Sequence, residues 1–216
     1  MLKKIGISIG ILVLIFMALG YYILFASNTG AVKDRTFIYI TTGSDYKALL
    51  HTLDSQQVVH NLASFDRMAR YLGLPAHLHP GKYQIREGMG NFSMVQMLKG
   101  GRQVPVKLVI NKLRTREDFI HKLCSNLEAD SSTLLQLMHD TSFLHGYGID
   151  SNQVISLILP DTYQFYWNTD ARKALEKIAR NYQRYWTNER KALAEKQGLS
   201  PTEVSILASI VEEETN

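Results

Sequence analysis

The apolar and polar positions of this chain fall into distinct stretches. The first is apolar without interruption: residues 5–26, IGISIGILVLIFMALGYYILFA, contain no charged side chain. At 1.5 Å per residue this run makes a helix of roughly 33 Å, against a hydrocarbon core of about 30 Å, so a membrane anchor is predicted. Lys3 and Lys4 precede it. Positive flanks stay on the cytoplasmic side, which leaves residues 1–4 as a cytoplasmic tail and places the bulk of the chain outside the cytoplasmic membrane. A signal peptide cleaved at Ala26-Ser27-Asn28 is the competing reading, but the run exceeds the roughly 7–15 apolar residues of a signal core.

A polar linker, 27–36, leads into mixed periods. Phe37–Ile40 reads as a strand of β-branched and aromatic residues. Ser44 can cap a helix running to about Asp54, with Leu49, Leu50 and Leu53 inward. A second helix from about Ser64 carries Phe65, Met68, Ala69 and Leu72 on one stripe and stops at Gly73. The turn His79-Pro80-Gly81 precedes a short strand, Lys82–Arg86, and a third helix spans Ser93–Lys99. The result is a β-α-α-β unit with an appended helix, over 37–102.

From 103 onward, Val104, Val106, Leu108 and Ile110 alternate as a half-buried strand. Thr115 with Asp118 opens a helix to about Leu127, and Ser131 or Ser132 opens another to His139. Gly146 and Gly148 mark a loop. Asp170 caps a long helix to about Lys196, with Leu175, Ile178, Ala179, Tyr182, Tyr185, Trp186 and Leu193 inward. Before it a loop is expected, in which Leu159-Pro160-Asp161-Thr162-Tyr163 is followed by Phe165, Tyr166 and Trp167 and Asp161 after Pro160 can bond its own backbone in an Asx-turn. These aromatics fit either a platform for sugar rings or a hydrophobic plug under the long helix. The residues alone favour the plug.

The last stretch, SPTEVSILASIVEEET over 200–215, carries the sharpest chemistry. Ser200 is an N-cap, Pro201 suits the first helical position, and Glu203 completes a capping box. Val204, Leu207, Ile210 and Val211 share one face, and Glu214 falls back onto it one turn later, with Glu212 and Glu213 to either side. If that face is buried, Glu214 meets an apolar wall. Such a wall disfavours a charged carboxylate and can hold an acid protonated near neutral pH, as a general acid requires. An acidic triplet at a helix end is more often a solvated face, and the helix dipole favours cations there.

Composition narrows the class only a little. The 216 residues are 45% hydrophobic and 20% charged, with a formal charge of +4, which are globular values. The densest basic cluster, Arg102, Lys107, Lys112, Arg114 and Arg116, could attract a polyanion but reads more readily as solvated surface. No nucleic-acid motif accompanies it, so no nucleic-acid partner is expected. The one cysteine, Cys124, sits in an apolar rhythm as a buried thiol. The seven histidines are scattered without ligand spacing, so neither a metal nor a cofactor is expected.

Two resemblances join these pieces. GSDYKALLHTL and GKYQIREGM, in the order strand-helix-helix-strand, resemble the LysM-like module of membrane-bound cell-wall enzymes, a module that would grip or orient glycan strands. LPDTYQFY and LASIVEEET resemble the aromatic-Pro-Asp-Thr segment and the A-S-I-V-E-x-E-T motif of the YceG-like (MltG) endolytic murein transglycosylase family. The fold implied is α+β: an N-terminal transmembrane helix, the small LysM-like module over 37–102, and a mainly helical catalytic domain beginning at 103. By that resemblance the second Glu of E-x-E-T, Glu214, is the catalytic residue. The position before it is variable in the family and is Glu213 here. Asp161, Tyr163 and Glu212 become candidates for substrate contact. The implied reaction cuts the β-1,4 bond between N-acetylmuramic acid and N-acetylglucosamine without water, leaving a 1,6-anhydromuramyl end. The implied partners are peptidoglycan strands, the inner membrane through one helix, and peptidoglycan synthases. A non-catalytic, anchored glycan-binding or scaffold protein is the alternative. Family members continue past the motif, whereas this sequence stops at Asn216, so an N-terminal portion of the catalytic domain is expected.

Overall fold

The computed structural model describes residues 10–15, 17, 20, 26–29 and 36–215. Most of the expected anchor lies outside the described residues, and residues 10–15, 17 and 20 within it are helical. Among the described residues no helix is long and apolar enough to cross a membrane. The chain divides into two units, 1–104 and 105–216. Both mix helices with a small antiparallel sheet.

The first unit contains β1 (Thr36–Ile40), α1 (Tyr46–Ser55), α2 (Leu62–Tyr71), β2 (Gly81–Ile85) and α3 (Asn91–Lys99). β1 and β2 pair antiparallel, with Ile38 opposite Tyr83. Alternation puts Ile38, Ile40, Tyr83 and Ile85 into the core. There they meet Leu49 and Leu53 of α1, Phe65 and Met68 of α2, and Met94, Val95 and Leu98 of α3. α1 is capped by Asp45 rather than Ser44: its carboxylate accepts from the Ala48 N–H at 2.8 Å. α2 starts earlier than its apolar stripe suggests, because Asn61 accepts from the Ser64 N–H at 2.8 Å. A buried polar link ties residues 26–29 to this unit. Asn28 donates to the Asn91 side chain at 2.6 Å and accepts from the Asn61 N–H at 2.9 Å, and Asn91 donates to the Ser64 hydroxyl at 2.7 Å.

The second unit runs β3 (Val106–Ile110), α4 (Arg116–Cys124), α5 (Ser131–His139), α6 (Thr141–His145), a 3₁₀ segment (Ser151–Leu157), β4 (Asp161–Phe165), α7 (Ala171–Tyr185), α8 (Asn188–Lys196) and α9 (Pro201–Glu214). Two expectations are corrected here. The aromatic segment is no loop. It is β4, paired antiparallel with β3 so that Leu108 faces Tyr163 and Ile110 faces Asp161. The loop around Gly146 follows a short helix, α6, and precedes a 3₁₀ segment whose Val154 and Leu157 are buried. The long helix is broken at Trp186-Thr187: the Thr187 hydroxyl accepts from the Arg190 N–H at 3.3 Å and starts α8 afresh. A threonine can offer the backbone this alternative bond. The break leaves Tyr185 46% and Leu193 55% exposed, against the expectation that both face inward.

The core of this unit gathers Val106, Leu108 and Ile110 of β3, Tyr163 and Phe165 of β4, Phe119 and Leu123 of α4, Leu134 and Met138 of α5, and Leu175, Ile178 and Tyr182 of α7. Burying each such side chain contributes about 1.5–3 kcal/mol, which is what holds short strands together. The thiol of Cys124 is half-buried at the edge of this core, and burial pushes it up from its ordinary range.

Candidate active site

α9 begins as its residues dictate. The Ser200 hydroxyl accepts from the Glu203 N–H at 3.3 Å, and the Glu203 carboxylate accepts from the Ser200 N–H at 2.7 Å. Those bonds hold Glu203 below the usual carboxylate range. The first turn is anchored further: Thr202 is buried and hydrogen-bonds the phenol of Tyr182 on α7, while Val204 packs on the core.

Beyond that turn the expectation fails. The face formed by Leu207, Ile210 and Val211 is not buried. Their exposures are 50%, 53% and 53%, and Ile206 beside them is 41% exposed. Glu212, Glu213 and Glu214 are exposed as well. The apolar wall predicted against Glu214 is therefore absent among the described residues. Periodicity located the stripe correctly, but burial needs a facing element, and among the described residues α9 packs mainly on the 3₁₀ segment and α8. No described residue bonds the Glu214 carboxylate.

Neighbouring carboxylates do find partners. Glu213, turned off the apolar face, accepts from the Arg114 guanidinium at 2.9 Å and lies 4.0 Å from the Lys112 ammonium. Both cations sit on the segment between β3 and α4. Asp161 starts β4 directly opposite Ile110, the residue that ends β3 two positions before Lys112. The acidic end of α9 and the start of the Pro-Asp-Thr strand thus flank the same short segment. The pairing of Lys112 and Arg114 with Glu213 escapes sequence reasoning because the partner is remote; basic clustering around 102–116 is its trace in the sequence.

Asp161 is exposed, and one carboxylate oxygen accepts from the Thr162 N–H at 2.7 Å. This local bond goes to the next residue, a tighter arrangement than the Asx-turn the sequence suggests. Its other oxygen accepts from the Asn181 side chain at 3.1 Å. The same amide donates to the Tyr163 hydroxyl at 3.2 Å, and that hydroxyl donates to the Leu159 carbonyl at 2.9 Å. Asn181 is thus the unanticipated residue that joins Asp161 to Tyr163. Tyr163 itself is 4% exposed, and burial pushes its phenol up from its ordinary range. Its ring stacks near that of Phe165, with centroids 6.2 Å apart. Both rings are core, so the plug reading holds for them, and only Tyr166, 57% exposed, offers an open face. Among the described residues no group of His, Cys, Asp and Glu could hold a metal.

The fold and these two segments define a class. The profile of the YceG-like family matches residues 38–216, and the chain belongs to that family. No curated protein matches the chain. A yceG-like protein from Listeria monocytogenes of known crystal structure is 21% identical. The alignment covers 79% of this chain and 61% of that one, with a TM-score of 0.42. The chain thus spans 61% of the length of that protein.

Proposed function

We propose that this chain supplies the acid-bearing portion of a membrane-anchored endolytic lytic transglycosylase. In this reading it cuts the β-1,4 bond between N-acetylmuramic acid and N-acetylglucosamine and leaves a 1,6-anhydromuramyl end. The observation that carries the proposal is the presentation of Glu214 at the end of a capped helix, on the same face as an open apolar stripe, in a chain of the YceG-like family. At about 100° per residue, Val204, Leu207, Ile210, Val211 and Glu214 fall within about 120° of one another. Apolar sugar faces laid on that ledge exclude water from the carboxyl, which favours its neutral form.

One carboxyl then serves twice. As an acid Glu214 protonates the leaving glycosidic oxygen. As a carboxylate it takes the proton of the muramyl 6-hydroxyl, whose oxygen closes onto the anomeric carbon. The acid-then-base alternation is that of retaining glycosidases, with a substrate hydroxyl in place of the second carboxylate. Glu213 does not compete for the role, because Arg114 and Lys112 already engage its carboxylate. Asp161, oriented by Asn181, offers acceptors to sugar hydroxyls, and Glu212 flanks the strand on the other side of the helix end. The anchor over 5–26 keeps the enzyme on the outer side of the cytoplasmic membrane, beside the peptidoglycan synthases whose strands it would terminate. Glu214→Gln keeps the shape and removes the proton. Cleavage of purified strands by this variant falls at least about a hundredfold; retention of wild-type cleavage overturns the assignment.

A further inference from the structure

α7 has two sharply different faces. Ala171, Ala174, Leu175, Ile178, Ala179 and Tyr182 are buried. Lys173, Lys177, Arg180 and Arg184 project from the opposite side, within an arc of about 60° at 100° per residue. A depression on this face is lined by Lys177, Arg180, Gln183 and Arg184. The charge is only partly answered. Lys173 pairs with Asp170 at 2.8 Å and Arg180 with Glu176 at 3.7 Å. Lys177 and Arg184 have no acidic partner among the described residues. The stripe also runs beside the candidate active site. The Lys177 ammonium bonds the Gln164 carbonyl of β4 and lies 5.1 Å from the centre of the Phe165 ring. Arg184 donates to Asn181 at 3.2 Å, the residue that holds Asp161 and Tyr163.

We propose that this face of α7 is an anion-binding surface that takes the carboxylates of the peptide stems carried by the glycan strand. This rests on the glycan-cleaving reading above, which puts a polysaccharide with carboxylate-bearing side chains at Asp161. Arg180 and Arg184 stand one helical turn apart, close enough to share one carboxylate, and Lys177 lies a turn further along for the next. Continuity with the Asp161 segment favours the strand over anionic lipid as the occupant.

The test uses the 216-residue chain in neutral phosphatidylcholine nanodiscs. Binding of fluorescent glycan strands is compared with that of the same strands stripped of their stems by an amidase, the lactyl carboxylates so exposed being capped as neutral methylamides. Stem-bearing strands are expected to bind about tenfold more tightly, as for a few exposed charge pairs, with the advantage shrinking as salt rises. The advantage disappears in the Lys177→Gln/Arg180→Gln/Arg184→Gln variant, whose glutamines keep good helix propensity. Equal binding of the two strands by the wild-type chain overturns the proposal without recourse to any variant. So does a stem advantage that survives the triple substitution, or one that vanishes in phosphatidylglycerol discs, where lipid headgroups would have claimed the face. Glu214→Gln is expected to keep the advantage in full. Cleavage by Glu214→Gln would sink the catalytic reading and leave this binding difference untouched, so the two ideas fail separately.

Discussion

Tyr163 separates a structural from a sugar-contacting role for the Pro-Asp-Thr-Tyr segment. Its ring is 4% exposed, and its hydroxyl bonds the Leu159 carbonyl at 2.9 Å and Asn181 at 3.2 Å. In Tyr163→Phe the Leu159 carbonyl loses this donor, while the Asn181 amide keeps Asp161. One bond and one poorly answered acceptor cost about 1–2 kcal/mol. Tyr163→Ala removes the ring opposite Leu108 and leaves a cavity, at about 3–5 kcal/mol. The chain has two tryptophans, Trp167 and Trp186, and both belong to the second unit. Tryptophan fluorescence during urea unfolding therefore reports on this unit alone. With a slope of about 1–2 kcal/mol per molar urea, the midpoint falls by about 1 M for Tyr163→Phe and by at least about 1.5 M for Tyr163→Ala. Glycan binding by Tyr163→Phe stays at the wild-type level. An unchanged midpoint together with lost glycan binding would refute the structural role and return Tyr163 to the substrate.

Stability should fall at both ends of the pH scale. Serine and threonine bonds from Ser132 and Thr133 hold the N-cap carboxyl of Asp130 down to about 2; Asp118, Asp140 and Glu203 are lowered by similar capping bonds, and Asp170 by the Lys173 ammonium and then by its capping bond. Their contribution is present above their unfolded values, near 4, and is lost as pH falls towards about 2; far-UV circular dichroism at stepped pH measures this. Burial pushes the Tyr83 phenol up to about 12, and the Tyr46, Tyr163 and Tyr182 phenols are raised as well. The stability tied to these neutral phenols is present below about 10 and is lost as pH rises from there towards about 12. A flat stability profile across either window would contradict the bonding or the burial described. In the first unit, Asn91→Ala leaves the buried Asn28 amide with one partner fewer, at about 1–3 kcal/mol. Faster amide exchange at Asn28, His60 and Met89 measures that loss.

How much of this was legible in the residues depends on how local each cause is. The capping boxes at Thr115 and Ser200 lie within four-residue windows and were readable, as were the alternating strands β1 and β3. The first unit's order of strand, two helices, strand and helix follows from stripes that each find a partner nearby. β4 was hidden because Pro160 and a crowd of aromatics imitate a loop, and its strand character comes from pairing with β3. The break after Tyr185 turned on the Thr187 hydroxyl, which competes with helix continuation at a position where the apolar rhythm runs on unbroken. The chemistry divides the same way. Glu214 is placed on its face by helix geometry, but whether that face is covered is a tertiary matter, and here Ile210 and Val211 stand open. The Glu213–Arg114 pair spans 99 positions, beyond the reach of any local pattern.

The most direct test of the central claim is the chemistry of the new chain end. The chain is incubated with purified peptidoglycan strands in isotopically heavy water, and the fragments are weighed by mass spectrometry beside those from Glu214→Gln. A 1,6-anhydromuramyl end with no heavy oxygen, absent from the Glu214→Gln reaction, is the predicted result. A reducing end carrying heavy oxygen would mean hydrolysis, and an unchanged strand would mean that this portion does not cleave. Either contradicts the account.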